Sequence, residues 1–195
     1  MAEWLEWAER LRARVSPPRY YHSLGVADTA VLLAARWGVD PERARLAGLL
    51  HDWARELTDE ETAAVARRFG LPERAGGYRT ALLHGPVAAA LLREEMGFED
   101  EAVLEAIELH TVGRPGMSRL ARVVWLADSI EPTRSYPGVE ELRRQACESL
   151  EEAMASALRS SIRFLRSQGA LIEGDSLRLL AELEAGLGRE APVLH

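Results

Sequence analysis

The chain has 195 residues, 47% of them apolar and 28% charged, enough for one core with an appendage but too few for two independent large domains. A net charge of −7 argues against broad nucleic-acid binding, although a bound cation and a few arginines can reverse the potential locally for a small phosphorylated ligand. No stretch approaches the roughly 20 uncharged apolar residues of a membrane span, the acidic N-terminus does not read as a secretory signal, and the lone Cys147, expected as a buried structural thiol, fits a reducing cytoplasm.

In chain order the sequence reads almost wholly with helical period, and no alternating run suggests a strand. Helices are expected at about 2–14, 20–37, 41–57, 59–69, 86–96, 99–110, 117–130, 138–168 and 175–186. Trp4 and Trp7 on the first would suit a homodimer contact if exposed. Pro41 behind Asp40 marks the third helix start, and Leu46, Leu49, Leu50 and Trp53 form its apolar stripe. Thr58 or Asp59 can cap the fourth helix, while Gly38, Gly70, Gly97 and Gly169 stop others. Residues 70–80 read as a surface loop, and Pro86 as the first turn of the fifth helix. The expected architecture is all-α: one domain over 1–195, with motifs in about 19–135 and C-terminal helices over about 138–186 closing the site. All basic residues are Arg, so a lysine base is absent and phosphate contacts fall to arginine's planar fork.

Four of five histidines lie within the helical body: His22, His51, His84 and His110. Asp52 follows His51 directly, and Asp128 ends the apolar run LARVVWLADSIEP. A lone histidine on a helix is ordinarily a core or surface residue, and an HD dipeptide arises readily by chance. The order H…HD…H…H…D across separate helices, with each member at an apolar-to-polar boundary, is a stronger pattern. Neutral imidazole and carboxylate together suit a divalent or trivalent metal. Such an ion would offset the cost of burying aspartates and lower the pKa of water from ~15.7 toward ~7. His195 reads as a solvated terminal residue.

The strings YYHSLGVADTAVLLA, ARLAGLLHDWARE, LLHGPVAA, ELHTVG and LADSIEPTR make the chain resemble the HD superfamily of metal-dependent phosphohydrolases. Within it the sequence is similar to the YqeK-like family, the symmetrical bis(5'-nucleosyl)-tetraphosphatases. The resemblance implies a helical HD bundle with a C-terminal helical extension, and a metal held by His22, His51, Asp52 and Asp128. Iron is the first choice, with manganese, cobalt or zinc as substitutes. It also implies that His84 and His110 face the phosphates or complete a two-metal clamp, and that Arg134 reaches the phosphate tail. Arg55 takes the place of a lysine common in the family and becomes a phosphate clamp. Gly25, one turn beyond His22, would allow close approach of a ligand, or equally a helix–helix contact. The tail ALIEGDSLRLLAELEAG corresponds to a segment that closes over the base, but its Glu173-Gly174-Asp175 departs from the family's usual string.

The resulting expectation is hydrolysis of a dinucleoside tetraphosphate to two nucleoside diphosphates, with Asp52, His84 and His110 as catalytic groups. A small nucleotide is then the partner, without nucleic acid or membrane. Another HD hydrolase, acting on deoxynucleoside triphosphates, guanosine tetraphosphate or cyclic nucleotides, is the nearest rival. A non-catalytic nucleotide sensor is the second. A purely structural helical adaptor leaves the two aspartates and four boundary histidines unexplained.

Overall fold

In the computed structural model, which describes residues 3–73, 77 and 79–189, every regular element is a helix. The order is α1 (Glu3–Arg12), α2 (Pro17–Trp37), α3 (Pro41–Leu50), α4 (Asp59–Arg68), α5 (Thr80–Met96), α6 (Glu101–Leu109), α7 (Arg119–Ile130), α8 (Val139–Glu148), α9 (Leu150–Ser167) and α10 (Gly174–Gly186). His195 and part of the 70–80 stretch lie outside the described residues.

Side-chain caps set most of the starts. Asp40 accepts from the backbone N–H of Glu42 at 2.9 Å, with Pro41 in the first turn of α3. Thr58 and Glu61 form a reciprocal capping box on α4. Asp100, Ser118 and Ser149 cap α6, α7 and α9 in the same manner.

Helix α2 packs along α3 and α7, α3 rests on α6, and α5 and α7 flank α6. Leu49, Leu50, Leu83, Leu104, Ile107 and Leu126 are fully buried where these helices meet. Two glycines allow close backbone crossings. A Cβ on Gly48 would lie 2.9 Å from Ala27 Cα, and one on Gly85 would lie 2.8 Å from the Ile107 carbonyl oxygen. Helices α8 and α9 cover α7, and α10 packs on α9.

Several boundaries differ from the sequence reading. Helix α3 ends at Leu50, and 51–56 is a run of turns, although Trp53 continues the apolar stripe into the core. Helix α5 starts at Thr80, so His84, Gly85 and Pro86 are interior. Proline there withholds one N–H from the helical ladder, a cost tolerated because Gly85 and Pro86 are buried in tertiary contacts. The long helix expected over 138–168 is two, broken at Ser149, whose backbone is extended and whose hydroxyl caps α9.

Two surface expectations are corrected. Trp7 is buried, edge-on to Trp53 and Phe98 with centroids at 6.1 and 5.3 Å. Trp4 is partly buried and stacks under Arg45, so neither ring is freely exposed. Cys147 is exposed rather than buried, because it faces away from the α7 side of α8 while its neighbour Ala146 takes the core position.

Candidate metal centre

Five separate segments deliver the motif residues to one place. His22 comes from the second turn of α2, His51 caps the C-terminus of α3, and Asp52 occupies the following turn. His84 lies in α5, His110 caps the C-terminus of α6, and Asp128 is near the end of α7. The helix ends at His51 and His110 let those side chains turn inward without breaking a buried ladder, whereas His22 and His84 project from within α2 and α5.

The imidazoles are oriented by their outer nitrogens. His51 Nδ1 donates to the Gly48 carbonyl at 2.7 Å, His84 Nδ1 to Thr80 at 2.8 Å, and His110 Nδ1 to Ile107 at 2.7 Å. A carbonyl oxygen only accepts, so the proton sits on Nδ1 and each Nε2 turns a lone pair inward. His22 Nδ1 donates instead to the Glu131 carboxylate at 3.1 Å. Metal-binding histidines carry such outer partners, which raise ligand basicity.

The carboxylates sit among these Nε2 atoms. Asp52 Oδ2 is 3.3 Å from His51 and 3.6 Å from His22, while its Oδ1 is 3.3 Å from His84 and 3.8 Å from His110. Asp128 Oδ1 lies 3.1 Å from His22 and 3.8 Å from His51. One donor atom each from His22, His51 and Asp128 falls within 4.8 Å of the others, and the same holds for His51, Asp52 and His110. His22 Nε2 and His51 Nε2 are buried and have no hydrogen-bond partner. Two orphaned lone pairs beside two carboxylates fit a cation with mixed nitrogen and oxygen donors.

His84 Nε2 and His110 Nε2 approach to 2.9 Å, with Thr111 Oγ1 at 3.2 Å from both. Since both Nδ1 atoms are committed as donors, two lone pairs face one another there. The contact is favourable only with a proton or a cation between them.

Electrostatics follow from the crowding. Burial would raise Asp52, but His51, His84 and His110 hold it well below the usual carboxylate range. Burial opposes ionisation of Asp128 likewise, and His22, His51 and Arg134 overcome it. Burial would lower His51, yet Asp52 and Asp128 raise it above its ordinary value. His110 goes the other way: burial, with His84 and His51 alongside, pushes it down to about 3.

Arg134 donates through Nε to the Asp128 backbone carbonyl and through its terminal nitrogen to the Asp128 carboxylate. Arg55 lines the cavity over the cluster with Asp52, His84 and His110. Gly25 is not open to a ligand: the Glu131 carboxylate occupies the space, and a Cβ would meet its Oε2 at 2.9 Å.

Three residues escaped sequence reasoning. Glu131 is fully buried and reaches His22, Thr133 and Arg134. Arg19 donates to Asp52 Oδ2 at 2.6 Å. Thr111 bridges the His84–His110 pair. Glu131 lies in the string LADSIEPTR and Arg19 directly precedes YYHSLGVADTAVLLA, so their places beside the motif residues were the available signal.

The HD domain family profile matches residues 19–133. The chain is 40% identical to the symmetrical bis(5'-nucleosyl)-tetraphosphatase of Halalkalibacterium halodurans, over 89% of this chain and 92% of the relative. It is 36% identical to the enzyme of that name from Bacillus subtilis, over 85% and 89%. A crystal structure of a predicted HD superfamily hydrolase involved in NAD metabolism, from Clostridium acetobutylicum, superposes with a TM-score of 0.90 at 36% identity. The match covers 95% of this chain and 99% of that one.

Proposed function

The chain belongs to the HD domain family, and from that membership we propose that it is a metal-dependent hydrolase splitting dinucleoside tetraphosphates, diadenosine tetraphosphate foremost, into two nucleoside diphosphates. The observation that carries the metal is the pair of buried, unpartnered Nε2 atoms of His22 and His51 beside the Asp52 and Asp128 carboxylates. The names of the two tetraphosphatase relatives carry the substrate.

In this reading His22, His51, Asp52 and Asp128 hold the ion. Iron is our choice, and manganese, cobalt or zinc suit the same donors. When bound, the metal supplies Lewis acidity that activates water at neutral pH and polarises a phosphoryl oxygen.

The protein's own groups do the rest. Asp52, whose two oxygens face opposite halves of the histidine cluster, orients the attacking water toward a central phosphorus. Arg19, Arg55 and Arg134 converge on the same cavity and gather phosphate charge. The His84–His110 pair, its Nε2 atoms 2.9 Å apart, is placed to pass a proton to the leaving diphosphate. Water adds at one central phosphorus and gives up a proton to solvent, the central bridging P–O bond breaks, and the departing oxygen takes the proton passed by the histidine pair. Positioning and electrostatics supply most of the rate, as is general for phosphoryl transfer. The lone Cys147 is consistent with a cytoplasmic enzyme.

The test is incubation with diadenosine tetraphosphate and iron, manganese or cobalt, followed by chromatography. ADP as the only nucleotide product is expected. ATP with AMP, or no turnover with any metal, overturns the proposal. His51→Ala and Asp52→Ala should each lose both bound metal and ADP release.

A further inference from the structure

The end of helix α7 carries three parts of the metal centre: Asp128 in its last turn, and Glu131 and Arg134 just beyond it. Many helices stop on a glycine in the left-handed conformation, which turns backbone N–H groups onto the last carbonyls. Here the capping residue is Glu131, with φ −54° and ψ 157°, and the next glycine along the chain is Gly138. The carbonyls of Asp128, Ser129 and Ile130 are therefore left to other donors.

Side chains supply those donors. The Asp128 carbonyl accepts from Arg134 Nε at 2.8 Å, that of Ser129 from the Tyr136 hydroxyl at 2.7 Å, and that of Ile130 from Arg143 Nε at 2.9 Å. Arg134 and Tyr136 belong to the segment being held, so their bonds tie it only to its own helix. Arg143 is different. It projects from α8, whose Leu142 and Ala146 are seated in the core, and its Nη2 donates to the Glu131 carbonyl at 2.8 Å and the Arg134 carbonyl at 2.9 Å. One guanidinium thus grips three main-chain oxygens, while its Nη1 pairs with Glu140. The Arg143 side chain is 26% exposed, whereas that of neighbouring Arg144 is 57% exposed and pairs with Glu141 and Glu148 on its own helix. Arg143 is no ordinary surface ion pair.

We propose that Arg143 is a positioning residue for the metal centre, fixing the main chain of 131–134 so that Glu131 stands behind His22 and Arg134 faces the phosphates. Both side chains leave the gripped segment. Glu131 reaches His22 Nδ1 at 3.1 Å, and Arg134 bonds Asp128 and lines the central cavity. A planar guanidinium with several N–H groups suits this task, and its charge is favourable beside the carbonyl end of a helix. Without Arg143 the turn keeps its internal bond from the Arg134 N–H to the Glu131 carbonyl at 3.0 Å, but loses its tether to α8. The turn therefore survives while its placement loosens. The inference rests on the proposed metal-dependent hydrolysis, although its metal-binding arm needs no substrate.

The experiment uses the full chain as wild type, Arg143→Met, Arg143→Lys and Arg144→Met. It measures manganese affinity by calorimetry, amide exchange at Thr133 and Arg134 by NMR, and diadenosine tetraphosphate kinetics at saturating manganese. Arg143→Met removes every donor, so manganese affinity and kcat/KM should each fall about tenfold, with faster exchange at the two amides. Arg143→Lys, which keeps the charge, should recover part of each loss, and Arg144→Met should match wild type. In a Glu131→Gln background, Arg143→Met should weaken manganese by less than about twofold further, because the route through Glu131 is already broken. Wild-type manganese affinity and exchange in Arg143→Met, equal losses in Arg144→Met, or a full second tenfold loss in the double variant overturns the proposal. If Arg143→Met does not fold, Arg143→Lys decides alone, and wild-type manganese affinity there overturns it. Absence of tetraphosphate hydrolysis in wild type would instead remove the proposed function, with the manganese and exchange comparisons still deciding the role of Arg143.

Discussion

His22 Nδ1 and Glu131 Oε1 lie 3.1 Å apart, across 109 positions of chain, and this bond aims His22 Nε2 at Asp128. Glu131 is fully buried, and it reaches His22 only because Gly25 has no side chain to block it. A carboxylate behind a ligand histidine fixes its ring and raises its basicity.

Glu131→Gln should therefore keep the fold but lower metal affinity by about 10–100-fold. Gly25→Ala should produce the same defect by displacing the carboxylate. Metal titration followed by elemental analysis checks both, and wild-type affinity in the two variants would remove the role given to Glu131.

Arg134 bonds Asp128 twice, through Nε to the backbone and through a terminal nitrogen to the carboxylate. A lysine has one nitrogen and cannot reproduce this planar two-nitrogen fork. Arg134→Lys should lower kcat/KM for diadenosine tetraphosphate by at least roughly tenfold, about 1.4 kcal/mol of lost transition-state stabilisation. Steady-state kinetics measure it, and unchanged kcat/KM would mean a single charge suffices.

Chelator-treated protein should be acid-sensitive through His110. Burial and the neighbouring His84 and His51 push this residue to about 3, against 6.5 when unfolded. The unfolded chain then binds the extra proton first, so stability is whole above about pH 6.5 and declines as pH falls toward 3. His110→Gln should lose less melting temperature than wild type between pH 7 and pH 4. Matching declines in the two proteins would count against the depressed pKa.

Trp7 belongs to the core, so Trp7→Ala should cost about 3–5 kcal/mol in denaturant unfolding. Leu32→Ala, at a side chain 72% exposed, should change stability by less than about 0.5 kcal/mol. Similar losses at both sites would contradict the burial pattern.

The motif residues were legible as an ordered set of histidines and aspartates beside apolar helical runs, and the structure brings them together from five segments. The all-α class was legible in the helical period of those runs. Glu131 was not, since its burial depends on Gly25, far away in sequence, and an acidic residue after a helix ordinarily faces water. Gly25 alone fits either a ligand approach or a helix contact, and the neighbour that fills its space, Glu131, comes from the α7 end. Helix α3 ends before the apolar spacing does, because Trp53 keeps that spacing while lying in a turn. Pro86 pointed to a helix start, but tertiary burial of α5 outweighed the missing donor. Trp7 looked like a surface anchor on an acidic helix until Phe98 and Trp53 enclosed it.

The glycine crossings at Gly48 and Gly85 act as the spacers of the histidine cluster. Gly48 brings the backbone of α3 against that of α2 while its own carbonyl steers His51, and Gly85 brings α5 against the segment that ends in His110. An added methyl at either point would meet main-chain atoms of the facing segment, so the two would have to move apart and carry His51 or His84 with them. The gauge of the ion-binding cage is thus set by main-chain proximity between helices, a dimension that ligand mutagenesis alone would leave untouched.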